Sequence, residues 1–151
     1  MKNRNARKGF TLIELLIVMT IIGVLSGSLL LTMGSSTDKA DATRIVTDLN
    51  SLRLAAGLYY ADNAGGTLSP DIARLKEYVT APEKLSGDQY EFTEGENSSQ
   101  WFVGCNIASQ PQGVRDSLKK MAANNGLRNS VTSSDSDTYN GGTSGVYIRV
   151  R

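Results

Sequence analysis

The sequence predicts an α+β fold: one long N-terminal helix, apolar enough in its first half to span a membrane, packed in its second half against a small antiparallel β-sheet. Three observations carry this. Residues 10–33 read FTLIELLIVMTIIGVLSGSLLLTM, with a single charge at Glu14. Beyond them, Ala42, Ile45, Leu49, Leu52, Ala56 and Tyr59 recur at spacings of 3, 4, 3, 4 and 3, which is one face of an amphipathic helix. Residues 89–93, 100–107 and 146–151 then alternate or cluster aromatic and branched side chains, as strands do.

Taken in order, residues 1–9 are a basic leader, with Lys2, Arg4, Arg7 and Lys8 directly ahead of the apolar run. As a helix, residues 10–33 extend about 36 Å, enough to cross a hydrocarbon core of about 30 Å. The positive-inside rule then keeps the leader in the cytoplasm and sends everything after Met33 across. The leader also dominates the charge balance: the net side-chain charge is +1 with it and −3 without it. A weakly acidic remainder is poorly suited to phosphate-backbone binding, so no nucleic-acid partner is indicated.

Glu14 is the odd residue in this run. An acid near a helix centre costs about 2.5–3.5 kcal/mol on insertion scales. It sits four residues after Phe10, about 6 Å along a helix, nearer the cytoplasmic boundary, and its cost falls if a cation meets it. Plainer readings fit less well. A secretory signal has an apolar core of about 7–15 residues, shorter than this one, even though Ser26-Gly27-Ser28 would pass for a cleavage site. A plain single-span anchor leaves Glu14 without a purpose.

The stretch Lys8-Gly9-Phe10-Thr11-Leu12-Ile13-Glu14-Leu15-Leu16 resembles the cleavage and methylation motif of type IV prepilins and type II secretion pseudopilins. The resemblance implies that a membrane-embedded aspartic prepilin peptidase cuts between Gly9 and Phe10 and N-methylates the Phe10 amine. Gly9 suits such a cut, because a backbone without a side chain enters a narrow cleft. It further implies that Thr11 and Glu14 serve filament assembly. Glu14 of an incoming subunit would meet the terminal amine of one already in place, pairing two charges that are each costly in an apolar core. The implied partners are other pilin-like subunits, like or unlike, together with membrane lipid, an inner-membrane platform protein and an assembly ATPase. The implied location is a single pass through a bacterial inner membrane, and later a periplasmic or cell-surface filament. Type IV pili, secretion pseudopili and DNA-uptake pili share this N-terminus, and the lack of a C-terminal cysteine pair leans toward a pseudopilin or a cysteine-free pilin.

Residues 34–63 continue as the amphipathic stretch. Gly34-Ser35-Ser36-Thr37 reads as an interruption with Asp38 as a fresh cap, and Arg44 and Asp48 allow an i,i+4 pair. Joined to the first half, the stretch gives a helix of about 80 Å if unbroken. The family often bends this helix with a proline, whereas here only Gly23 and Gly27 weaken the apolar half.

Residues 64–151 form the head. Ser69-Pro70-Asp71 reads as a helix start with Ser69 as cap, and Ile72, Leu75, Tyr78 and Val79 should face inward. Residues 89–93 and 100–107 suggest a hairpin, 114–124 a helix stopped by Gly126, and 146–151 a closing strand. This arrangement agrees with the pilin-like fold the resemblance implies.

The polar residues 129–144 read as a loop. Asp135, Asp137 and Asn140 offer oxygen ligands, and major pseudopilins bind calcium in a C-terminal loop. The spacing departs from an EF-hand because Tyr139 occupies its fifth position, so a solvated loop stands beside the calcium reading.

The residues do not suggest catalysis. The chain has no histidine, which removes imidazole as base and ligand. Its one cysteine, Cys105, sits in an apolar run and reads as a buried small hydrophobe. Glu94 and Glu96 are paired acids on a turn, with no activated nucleophile beside them. The expected function is therefore a filament subunit, with a membrane-anchored binding module that never polymerises as the alternative. Neither needs a cofactor.

Overall fold

The computed structural model describes residues 9–64, 71–80, 82–85, 89–96, 99–132 and 137–151. Contacts divide the chain into two units, Met1–Ser36 and Thr37–Arg151. Helix α1, Leu12–Asp62, supplies residues to both. Its helical assignment is unbroken from Gly34 to Thr37, so the expected interruption does not occur and Asp38 is not its cap. The reason is cooperativity: one glycine costs about 1 kcal/mol, whereas a break obliges the helix to nucleate again.

In the first unit, α1 from Leu12 to Leu30 is exposed on every face. It is long and apolar enough to cross a membrane. No part of it packs into a core, which for such a sequence calls for lipid or protein around it.

The second unit holds the core. The whole stripe from Ala42 to Tyr59 is buried, and Val46 and Ala55 join it. These two were not expected, because a core-facing stripe is wider than a single 3,4 line. Asp38 does different work from that expected: its carboxylate lies so close to Gly113 that a Cβ there would overlap it. That places an acid at the first turn of helix α3, Gln112–Asn125, where the dipole favours it.

Short helix α2, Ile72–Leu75, is capped by Asp71, whose side chain accepts from the Ala73 N–H at 2.9 Å. Asp71 rather than Ser69 is thus the cap, and Ser69 and Pro70 lie outside the described residues. Leu75 is fully buried, while Ile72, Tyr78 and Val79 pack against the core from its margin.

The sheet is antiparallel, ordered β1-β2-β4-β3, from β1 (Tyr90–Glu94), β2 (Trp101–Asn106), β3 (Leu127–Arg128) and β4 (Gly145–Arg149). The expected hairpin is β1 and β2, in register from Tyr90 opposite Cys105 to Glu94 opposite Trp101. Central β2 is buried on both faces, hence its unbroken apolar run. Trp101, Val103 and Cys105 join the core, the Phe102 ring packs against Gly95, and the Tyr147 ring lies over Gly104.

Helix α3 buries Val114, Leu118 and Ala122, with Met121 at the margin. Gly126 ends it in the left-handed conformation at φ 64°, its N–H donating to the Ala122 carbonyl. The segment that follows adds pairing that the sequence reading did not anticipate. Leu127 and Arg128 form β3, Thr138 bridges to Arg128, and Tyr139 is buried with its N–H donating to the Leu127 carbonyl at 2.9 Å. Thr138 and Tyr139 therefore pair back onto β3, and the Tyr139 ring anchors them in the core.

Candidate N-terminal processing and assembly site

Gly9, Phe10 and Thr11 precede the helix and are exposed, Phe10 by 84%. A peptide bond outside regular structure can take the extended form that protease clefts bind. Among the described residues, no atom beyond its chain neighbours lies within 4 Å of where a Gly9 Cβ would stand. Lys2, Arg4, Arg7 and Lys8 lie outside the described residues.

Thr11 and Glu14 are joined by a reciprocal pair of bonds. The Thr11 N–H donates to Glu14 Oε2 at 2.9 Å, and the Glu14 N–H donates to Thr11 Oγ1 at 3.3 Å. This is a capping box: residues three apart each satisfy a backbone donor that the helix leaves open. The Thr11 hydroxyl adds a bond to the same Oε2 at 2.8 Å. Glu14 thus stands in the first turn of α1, where the dipole favours an anion, and its side chain stays exposed. The T-x-x-E pattern carried this signal in the sequence, although the sequence reading treated Glu14 only as a charge.

Of the C-terminal loop candidates, Asp137 and Asn140 are bound within their own loop. Asp137 Oδ2 accepts from the Ser130 N–H at 2.9 Å and its hydroxyl at 2.6 Å, and Oδ1 accepts from the Asn129 amide at 3.1 Å. Burial pushes this carboxyl up, but those bonds and one from Thr132 outweigh it and hold it below the usual range. Asn140 Oδ1 accepts from the Gly142 N–H at 2.9 Å, and Asp135 lies outside the described residues. Among the described residues no three acidic, cysteine or histidine side chains gather as metal ligands.

Cys105 is buried, and burial pushes its thiol up to about 12, with a Gln89 amide contact at 3.8 Å acting the other way. A thiol held protonated is not a nucleophile at neutral pH. Glu94 ends β1, and Glu96 follows in the bend.

Residues 4–30 match the family described as the prokaryotic N-terminal methylation motif. The chain is 35% identical over 83 residues to the type II secretion system core protein G of Escherichia coli K12, covering 54% of this chain and 57% of that protein. It is 34% identical over 61 residues to the protein of that name from Klebsiella michiganensis, covering 40% and 43%. A fimbrial protein of Pseudomonas aeruginosa is 43% identical over 51 residues, covering 34% and 33%. The chain therefore spans less than two thirds of the length of each of these relatives. No solved structure matches. The motif and these relatives support the type IV prepilin and type II secretion pseudopilin family for this chain.

Proposed function

We propose that the chain is a structural subunit of a type IV pilus-like filament, cleaved between Gly9 and Phe10, N-methylated at Phe10 and assembled through its apolar helix. The observation that carries this is an apolar helix exposed on every face, starting at an exposed Gly9-Phe10 junction and holding one carboxylate, Glu14, in its first turn. Cleavage would free a cation at Phe10. A filament neighbour's Glu14 could then pair with it in surroundings where either charge alone is costly. Before the cut no amine exists at Phe10, so the same step that removes the leader would license assembly.

The partners are those of such a machine: a prepilin peptidase, a membrane platform protein, an assembly ATPase, lipid and further subunits. The leader stays cytoplasmic and the second unit is exported, then carried into a periplasmic or surface filament. The relatives' names support both the secretion and the fimbrial version of the filament.

Mass spectrometry of the N-terminus tests the reading on filament-associated material. The expected terminus is N-methylated Phe10, and an intact Met1 or a terminus near Ser28 would overturn it. Glu14→Ala should insert normally and assemble poorly. Normal assembly would favour a tethered binding module instead.

A further inference from the structure

The sheet face turned away from the core carries polar chemistry that filament assembly does not use. Side chains alternate along a strand, so with Val103, Cys105, Val146 and Ile148 in the core, Gly104, Asn106 and Tyr147 stand on the other face. Glu91, Gly104 and Tyr147 lie side by side across β1, β2 and β4, and farther along Asn106 faces Gly145. The Tyr147 ring lies down over both glycines. A Cβ on Gly104 would stand 2.6 Å from its Cδ1 and Cε1, and one on Gly145 would stand 2.9 Å from its hydroxyl and 3.0 Å from Cε2. Glycine inside a strand weakens it, and here two of them let an aromatic ring lie along the sheet.

Beside that ring is a pocket of about 150 Å³ lined by Gln89, Glu91, Asn106, Ser144, Gly145 and Tyr147. A second pocket, about 260 Å³, shares Gln89 and Asn106 and continues over Ala108, Ser109 and Gln110. The walls are tied in place. The Ile107 N–H donates to the Ser144 carbonyl at 2.7 Å, the Ala108 N–H to Asn106 Oδ1 at 3.0 Å, and the Arg115 guanidinium to the Ala108 carbonyl at 2.6 Å. The Tyr147 hydroxyl donates to Glu91. Walls fixed beforehand lower the ordering cost of binding.

The lining selects the ligand chemistry. Glu91 is the one charged side chain among the described lining residues of the two pockets, so an anion is repelled. A cation has no acceptor for the amide donors of Gln89, Asn106 and Gln110 or the hydroxyls of Ser109 and Ser144, and it meets a single aromatic ring. A neutral polyhydroxyl ligand both donates and accepts, as this lining does. The face of a pyranose presents weakly positive C–H bonds, which suit the negative face of an aromatic ring. Both pockets are smaller than the ~300–1,000 Å³ of a site for a drug-sized molecule, and their shared wall suits two linked rings. We propose that this face binds a neutral oligosaccharide, one pyranose on Tyr147 beside Glu91 and the next over Ala108, Ser109 and Gln110. The site belongs to the Thr37–Arg151 unit and is independent of how the apolar helix is used.

The test uses the full chain in phosphatidylcholine nanodiscs, which keeps sugar-headed detergents away. Saturation-transfer NMR is recorded with methyl glucoside, maltose, cellobiose and diacetylchitobiose. At least one disaccharide should bind, with a dissociation constant of about 1 mM and more tightly than methyl glucoside. Glu91→Ala removes a charged acceptor on an exposed position and should weaken binding about tenfold or more. Tyr147→Leu should do the same, whereas Tyr147→Phe keeps the ring and should bind as wild type does. Gln110→Ala should weaken the disaccharide and leave methyl glucoside unchanged. Absence of transfer to every sugar overturns the proposal, as does equal binding of acyclic sorbitol or displacement of the sugar by tetramethylammonium. Loss of binding in Tyr147→Leu alone, with the other variants unchanged, assigns the ring to folding and equally overturns it.

Discussion

At Glu14 one carboxylate serves two physical ends, and they can be separated. As the last residue of a capping box it needs only an acceptor oxygen, which glutamine also supplies. As the partner of a terminal amine it needs its charge. Glu14→Gln should therefore keep the first turn of α1 ordered, read as slow amide exchange in micelles, while filament yield falls. Thr11→Ala should do the reverse in part, keeping the charge and fraying the first turn at a cost of about 1 kcal/mol. Equal loss of assembly and helix order in both variants would refute the separation. A second prediction concerns buried acids. Burial raises the Cys105 thiol from 9.0 to about 12. Burial first, and then the bond to Glu91, raises the Tyr147 hydroxyl from 10.0 to about 12. Both groups hold protons in the folded state that the unfolded chain releases earlier. Their contribution is complete below pH 9 and is lost as pH rises toward 12. Melting followed by circular dichroism should show a transition temperature that falls across that window, less steeply in Cys105→Ala. Cys105 was legible as a buried residue because its neighbours are apolar, whereas the loop role of Asp137 was not, since its donors at Asn129 and Ser130 are close in space and distant from any turn rule.

Elements differ in how much of themselves they write into sequence. The core-facing part of α1 was legible because burial on a helix imposes a 3.6 period, and Ala42 to Tyr59 keep it. The hairpin of β1 and β2 was legible from aromatic and branched clustering. Strand β3 was not, because two residues cannot show alternation, and its pairing with β4 depends on chain far downstream. Sheet packing leads to a specific expectation at Gly104. A Cβ there would stand 2.6 Å from the Tyr147 ring and 3.1 Å from Glu91 Cγ. Neither neighbour can stay where it is, so Gly104→Ala should destabilise the head by about 1–3 kcal/mol, the range for overpacking. Denaturant titration measures it, and an unchanged midpoint would mean that the ring moves aside freely. Gly57→Ala should act in the opposite direction, adding up to about 1 kcal/mol because the helix gains propensity and the new methyl meets no atom.

For the molecule as a whole, the division after Ser36 separates two kinds of surface. Every buried residue of the core, from Ala42 to Ile148, belongs to the second unit, so that unit contains the apolar contacts that fold it. The first carries fourteen large exposed hydrophobics between Phe10 and Leu30, a surface that water does not tolerate. A fragment of residues 37–151 should accordingly fold cooperatively in buffer without detergent, with a circular dichroism spectrum containing both helix and strand. It should also be a monomer by analytical ultracentrifugation at concentrations where the full chain needs detergent or a membrane. A fragment that dimerises, or that melts without a cooperative transition, would overturn that division.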